Sequence, residues 1–157
     1  MSLSIEPMKF CHVDAVSEIE KKVYPTPWTK FAFINEIIDN GFASYYVALY
    51  NKEVVGYAGI WVVLEEAHIT TLAVSPKWQG KGIGKALLQH LINEADSKGA
   101  VRMTLEVRVS NLKAQELYKK FGFVVCGRRP KYYRDEDALI MWLEKLPVRK
   151  LALEHIN

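Results

Sequence analysis

The chain has 157 residues, half of them apolar, and a formal net charge of +3. That length predicts one self-sufficient core, and a charge this mild, with no basic stripe carrying interleaved aromatics, argues against a nucleic-acid partner. Cys11 and Cys126 are too far apart for a metal motif, no apolar run reaches membrane-spanning length, and the N-terminus lacks a signal-peptide pattern, so a reducing, cytoplasmic setting without a membrane partner is expected.

In chain order, Leu3 and Ile5 alternate with polar neighbours as a first strand that Pro7 ends. A helix from about Val13 carries Val16, Ile19 and Val23 on one face and stops before Pro25. Tyr24-Pro-Thr-Pro-Trp28 is a stiff loop, since each proline fixes its own φ and holds its predecessor extended. This aromatic loop suits either a plug for the core or a wall for a substrate. Thr29 caps a second helix to about Asn40, burying Phe33, Ile34 and Ile37.

From Ala43 to Val74 the residues turn β-branched and aromatic. Ser44–Tyr50, Val54–Leu64 and the run leading to Val74 read as three strands of an antiparallel meander with tight turns at Asn51-Lys52 and Glu65-Glu66. A long helix follows, with Ile83, Leu87, Leu88, Leu91, Ile92 and Ala95 at helical spacing and Gly99 as its stop. Arg102–Val107 reads as a strand and Asn111–Phe121 as a helix with Ala114, Leu117 and Phe121 inward. Phe123–Arg128 and Ala138–Leu143 finish as strands around a polar, tyrosine-bearing segment. The order is β-α-α-β-β-β-α-β-α-β-β, an α/β (α+β) fold with one mixed, mostly antiparallel sheet and helices on both faces. Residues 1–146 are expected to form a single domain and 147–157 a tail.

The run Gln79-Gly-Lys-Gly-Ile-Gly-Lys85 between a strand and a helix leaves backbone N–H groups at the positive end of a helix dipole, an arrangement suited to phosphate. It fails the Walker pattern, which needs a glycine where Gln79 stands and Ser or Thr at Ala86. It also fails the dinucleotide fingerprint, which needs a third glycine at Lys85. What remains is Gln-x-x-Gly-x-Gly on Gln79, Gly82 and Gly84. One glycine suffices for a tight turn; three alternating with Lys81 and Lys85 favour a phosphate cradle.

This pattern resembles the acetyl-coenzyme A loop of the GNAT family of N-acetyltransferases. The element order over roughly residues 3–145 is similar to that family too, as are Leu105-Glu-Val-Arg-Val-Ser-Asn111, Leu117-Tyr118, Phe121-Gly-Phe123, Tyr132-Tyr133 and Glu136–Met141. Among its members, the bacterial acetyltransferases of ribosomal-protein alanine termini and the archaeal N-terminal acetyltransferases share much of this text, the bacterial ones being the more similar. The resemblance implies direct attack of an amine on acetyl-CoA, with Glu106 as base and Tyr118 as acid, so neither cysteine is needed as a nucleophile. Desolvation of Glu106 in a cleft is expected to raise its pKa.

The resemblance further implies acetyl-CoA contacts from Gln79, Gly80, Lys81, Gly82, Ile83, Gly84 and Lys85. It adds the backbone of Leu72, Ala73 and Val74 and the amide of Asn111, which competes with Ser110 to cap the following helix. Walls of a peptide groove are expected at Tyr24, Trp28, Tyr132, Tyr133 and Arg134. His12, His68, His90 and His155 show no metal spacing and read as structural or solvent-exposed, so no metal is expected.

Neutralising an α-amine of pKa about 8 at neutral pH costs about 1.4 kcal/mol, against roughly 4.6 kcal/mol for lysine. A single glutamate suits the first. The implied acceptor is therefore the N-terminal peptide of a ribosomal or other protein, in the resemblance an N-terminal alanine, with the enzyme a monomer or weak dimer. Lysine side chains or small amines are the alternative acceptors, and a non-catalytic acyl-CoA sensor is the alternative of another class.

Overall fold

The computed structural model describes residues 2–146. In chain order its elements are β1 (Leu3–Pro7), α1 (Val13–Val23), α2 (Lys30–Asp39), β2 (Ala43–Tyr50), β3 (Glu53–Val63), β4 (Glu66–Val74), α3 (Ile83–Ser97), β5 (Arg102–Arg108), α4 (Leu112–Lys120), β6 (Val124–Arg129) and β7 (Ala138–Leu143). The strands form one sheet in the order β1-β2-β3-β4-β5-β7-β6. Pairing is antiparallel for β1/β2, β2/β3, β5/β7 and β6/β7 and parallel for β4/β5, so the sheet is mixed as expected. The expected tail, 147–157, lies outside the described residues. The chain divides into two compact units, Met1–Trp61 with Thr71–Leu91, and Val62–Thr70 with the chain from Ile92 onward.

In the first unit the local signals act as their chemistry dictates. Helix α1 carries Asp14 in its first turn and Lys21 and Lys22 in its last, complementing the dipole, and it ends where Tyr24 turns extended ahead of Pro25. Thr29 Oγ1 accepts the Ala32 N–H at 3.1 Å and starts α2. Asn51 and Lys52 both take positive φ, 48° and 69°, the twist a two-residue hairpin needs between β2 and β3. Val16, Ile19, Phe33, Val47 and Tyr57 form the centre of the core, with Phe33 edge-on to Tyr57 at 5.8 Å. Helix α2 buries Phe33 fully, whereas Ile34 and Ile37 are half-buried. On β3, Gly56 is required by close approach: a Cβ there would lie 2.9 Å from the Ala73 carbonyl oxygen and 3.1 Å from Leu87. Its absence lets the start of α3 settle onto the strands.

The second unit is built on β5. Met103, Leu105 and Val107 are buried on one face, which sends Thr104, Glu106 and Arg108 to the other. Asn111 Oδ1 accepts the Ala114 N–H at 3.2 Å, so Asn111 and not Ser110 caps α4. The inward face of α4 differs from the expected one: Gln115 and Tyr118 are buried, while Ala114, Leu117 and Phe121 are only half-buried. A hydropathy stripe cannot find Gln115. Its amide is inside because it donates to the carbonyls of Arg108 and Val109, each at 3.0 Å.

Candidate active site

The glycine loop sits between the end of β4 and α3. Gly80 and Gly82 adopt φ of +79° and +84°, a region costly for any residue with a Cβ, although a Cβ at either would meet nothing within 4 Å. Glycine is thus demanded here by backbone conformation rather than by crowding. Helix α3 then runs for 15 residues from Ile83, which is buried, while Lys81 and Lys85 are exposed. The first amides of a helix have no acceptor within it, and left-handed turns ahead of them form an anion-binding concavity. The donor set fits a diphosphate. Gln79 turns its amide back to the Val74 carbonyl at 3.2 Å, bracing the exit of β4.

Tyr24 and Trp28 are both tied into the first unit. The Tyr24 hydroxyl donates to the Leu72 carbonyl of β4 at 2.8 Å, and the Trp28 ring packs 5.2 Å from Phe33 and 6.3 Å from Tyr45. Beneath them Glu20, 3% exposed, accepts the Trp28 N–H at 2.9 Å and the Tyr57 hydroxyl in a short hydrogen bond. Burial pushes the Glu20 carboxyl above the usual carboxylate value, against the pull of those two donors. It pushes the Tyr57 phenol up as well, where the nearby Glu20 charge adds to it.

In the second unit the Glu106 carboxylate is paired with a histidine. Its Oε2 lies 2.9 Å from Nε2 of His68, with the two side chains 9% and 32% exposed. His68, expected to be structural or solvent-exposed, is half-buried and paired with Glu106. The parallel register of β4 and β5 sets His68 beside Thr104, and Glu106 is two residues further along the same face. The expected direction of the Glu106 pKa is corrected. Burial raises it, but the hydrogen bond and charge of His68, a hydrogen bond from Tyr132 and the charge of Arg129 outweigh burial and leave it below the usual value. Reciprocally, burial and the Glu106 charge push the Tyr132 phenol up.

Tyr118, on α4, is 6% exposed, its ring 5.6 Å from Phe123. Tyr132, Tyr133 and Arg134 lie in the connection between β6 and β7. The Tyr133 hydroxyl donates to the Glu106 carbonyl at 3.2 Å, and the two tyrosine rings meet edge-on at 4.9 Å. Arg134 takes a positive φ of 67° in the same turn. Glu106, Tyr132 and Tyr133 are therefore brought together, and His68, Arg108 and Arg129 join them without having been singled out in the sequence. The partner of His68 lies on β5, a neighbour that the alternation of β4 does not specify. Among the described residues no group of three or more His, Cys, Asp or Glu is placed to hold a metal ion, and no helix is long and apolar enough to cross a membrane.

Residues 13–123 match the model of the acetyltransferase (GNAT) family. A Bacillus subtilis protein, provisionally named [ribosomal protein bS18]-alanine N-acetyltransferase, is 42% identical over 142 residues, covering 89% of this chain and 94% of its own. The crystal structure of the ribosomal-protein-S18-alanine N-acetyltransferase from Escherichia coli superposes with a TM-score of 0.82 at 34% identity, over 90% of this chain and 93% of that one. That of Ard1 from Thermoplasma volcanium superposes with a TM-score of 0.87 at 26% identity, over 93% and 99%.

Proposed function

Because the chain belongs to the acetyltransferase (GNAT) family, we propose that it is the cytoplasmic enzyme that acetylates the N-terminal alanine of ribosomal protein bS18. The names of the relatives in Bacillus subtilis and Escherichia coli support that acceptor. Acetyl-CoA, when bound, supplies the activated acetyl group and a thiolate leaving group. On this reading the residues that hold it are Gly80 to Lys85 for the diphosphate, the backbone of Leu72, Ala73 and Val74 for the amide-bearing arm, and Asn111. One carbonyl in that set, Leu72, already accepts the Tyr24 hydroxyl, so Tyr24 helps to fix the strand that would receive the arm.

The observation that carries the chemical assignment is the Glu106–His68 pair. The attacking amine must lose a proton while the C–N bond forms and the C–S bond breaks. A carboxylate held below its usual value, taking a proton from an ammonium of pKa about 8, works uphill by more than about 5 kcal/mol. We therefore assign proton acceptance to the pair rather than to Glu106 alone: Nε2 of His68 lies 2.9 Å from the Glu106 carboxylate, which orients the ring. Tyr118 returns a proton to the departing sulfur. Tyr132 and Tyr133, fixed on Glu106, serve as walls for the peptide, with Arg134 at the loop's rim.

The test is acetylation of a bS18 N-terminal peptide, read by mass spectrometry. The same peptide with its α-amine already acetylated, an N-blocked peptide with one lysine, and free small amines complete the panel. Transfer confined to the free alanine terminus is expected. Transfer to lysine or small amines in its place would move the substrate assignment, and acetyl-CoA binding without turnover on any amine would make the chain a sensor.

A further inference from the structure

Two residues beyond Glu106 on β5, Arg108 holds its guanidinium almost out of solvent, at 7% exposure. Its Nη1 donates to both carboxylate oxygens of Asp135, at 2.9 and 3.1 Å, and to Glu136 at 2.9 Å, while its planar group lies 4.4 Å from the Tyr133 ring centre. Glu136 in turn accepts the Ser110 N–H at 3.2 Å and the Ser110 hydroxyl at 2.8 Å. The segment so gripped, 130–137, has little apolar packing of its own. Lys131 and Arg134 take positive φ, and Tyr132 is 48% exposed.

Burying a guanidinium is a poor way to gain stability, because desolvation offsets most of what its partners return. It is a good way to fix geometry: a planar cation binds two carboxylates and stacks on a ring at once, which lysine cannot do. Tyr133, the ring it stacks on, donates to the Glu106 carbonyl, and its neighbour Tyr132 reaches the Glu106 carboxylate. We propose that Arg108 is a positioning residue for acetyl transfer: by clamping the loop 130–137 it holds Tyr132 and Tyr133 over Glu106 and so sets how tightly the acceptor peptide is received. This rests on the reading of the site as a peptide acetyltransferase.

Steady-state kinetics of Arg108→Lys with the bS18 peptide and acetyl-CoA, beside the wild type, test it. Lysine keeps the charge and loses the planar stack on Tyr133. The peptide KM is expected to rise about tenfold or more, with kcat within about threefold and the acetyl-CoA KM within about twofold. A peptide KM within about twofold of wild type, or two KM values that rise together, would overturn the proposal. Asp135→Asn weakens the clamp from the loop side without touching a wall residue and is measured in parallel, so the test stands even if Arg108→Lys does not fold. The same selective rise is expected, and an unmoved peptide KM again overturns it. Absence of wild-type transfer to the peptide removes the functional reading and this inference with it; an active wild type with an unaffected variant removes this inference alone.

Discussion

At the scale of single residues, the proposed chemistry depends on which groups sit against Glu106. Its carboxyl is held below the usual value, so the sign of its effect on folding follows. Its contribution is complete above the ordinary carboxylate pKa, about 4.3, and is lost as pH falls through the lower folded value. Melting temperature measured across acid pH should accordingly fall less steeply in Glu106→Gln than in the wild type. His68→Asn removes the imidazole from the pair, and kcat is expected to drop by about 10²-fold with acetyl-CoA affinity unchanged, checked by turnover and by calorimetric titration. Glu20 is a second buried carboxylate with a different task. Glu20→Ala strips the acceptor from the Tyr57 hydroxyl and the Trp28 N–H and should cost about 2–4 kcal/mol in urea unfolding. The motif around Leu105–Asn111 makes Glu106 legible as a candidate, and Leu117-Tyr118 does the same for Tyr118. His68, Arg108 and Gln115 are not, because each acquires its role from a partner on another element, and neither hydropathy nor local spacing encodes a cross-strand neighbour.

At the scale of elements, local rules accounted for the boundaries well. Thr29 caps its helix through a side-chain oxygen as read, Asn111 rather than its rival Ser110 caps α4, and Asn51-Lys52 turns the hairpin. The inward face of α4 was less legible, because the residue that fills it is a glutamine held by two carbonyls. The glycine loop gives a sharp test at this scale. Gly82→Ala has open space for its methyl group but must hold φ near +84°. The expected cost is about 1–2 kcal/mol of backbone strain, relieved by reshaping the loop, so acetyl-CoA affinity should fall about tenfold while kcat at saturation changes little. Isothermal titration beside single-turnover rates separates the two. Unaltered affinity in this variant would remove the loop from the acetyl-CoA site.

At the scale of the whole molecule, the succession of strands and helices could be read from period and punctuation, and with it the fold class. The lateral order of the strands could not: β7 lies between β5 and β6, so the last hairpin folds back and inserts its second strand beside β5. Nothing in a period-2 pattern specifies that neighbour. Yet it is this insertion that brings the 130–137 connection to the end of β5, where Arg108 binds it and Tyr133 reaches the Glu106 carbonyl. The proposed function assigns separate tasks to separate elements: diphosphate binding to the glycine loop, proton acceptance to the pair on β4 and β5, proton return to the α4 phenol, and peptide contact to the tyrosines of the β6–β7 connection. The most direct measurement of that assignment is turnover of the bS18 peptide by Glu106→Gln, with acetyl-CoA binding determined on the same preparation. We predict that kcat falls by about 10²–10³-fold while the acetyl-CoA Kd stays within about twofold. A kcat within about threefold of the wild type would contradict it.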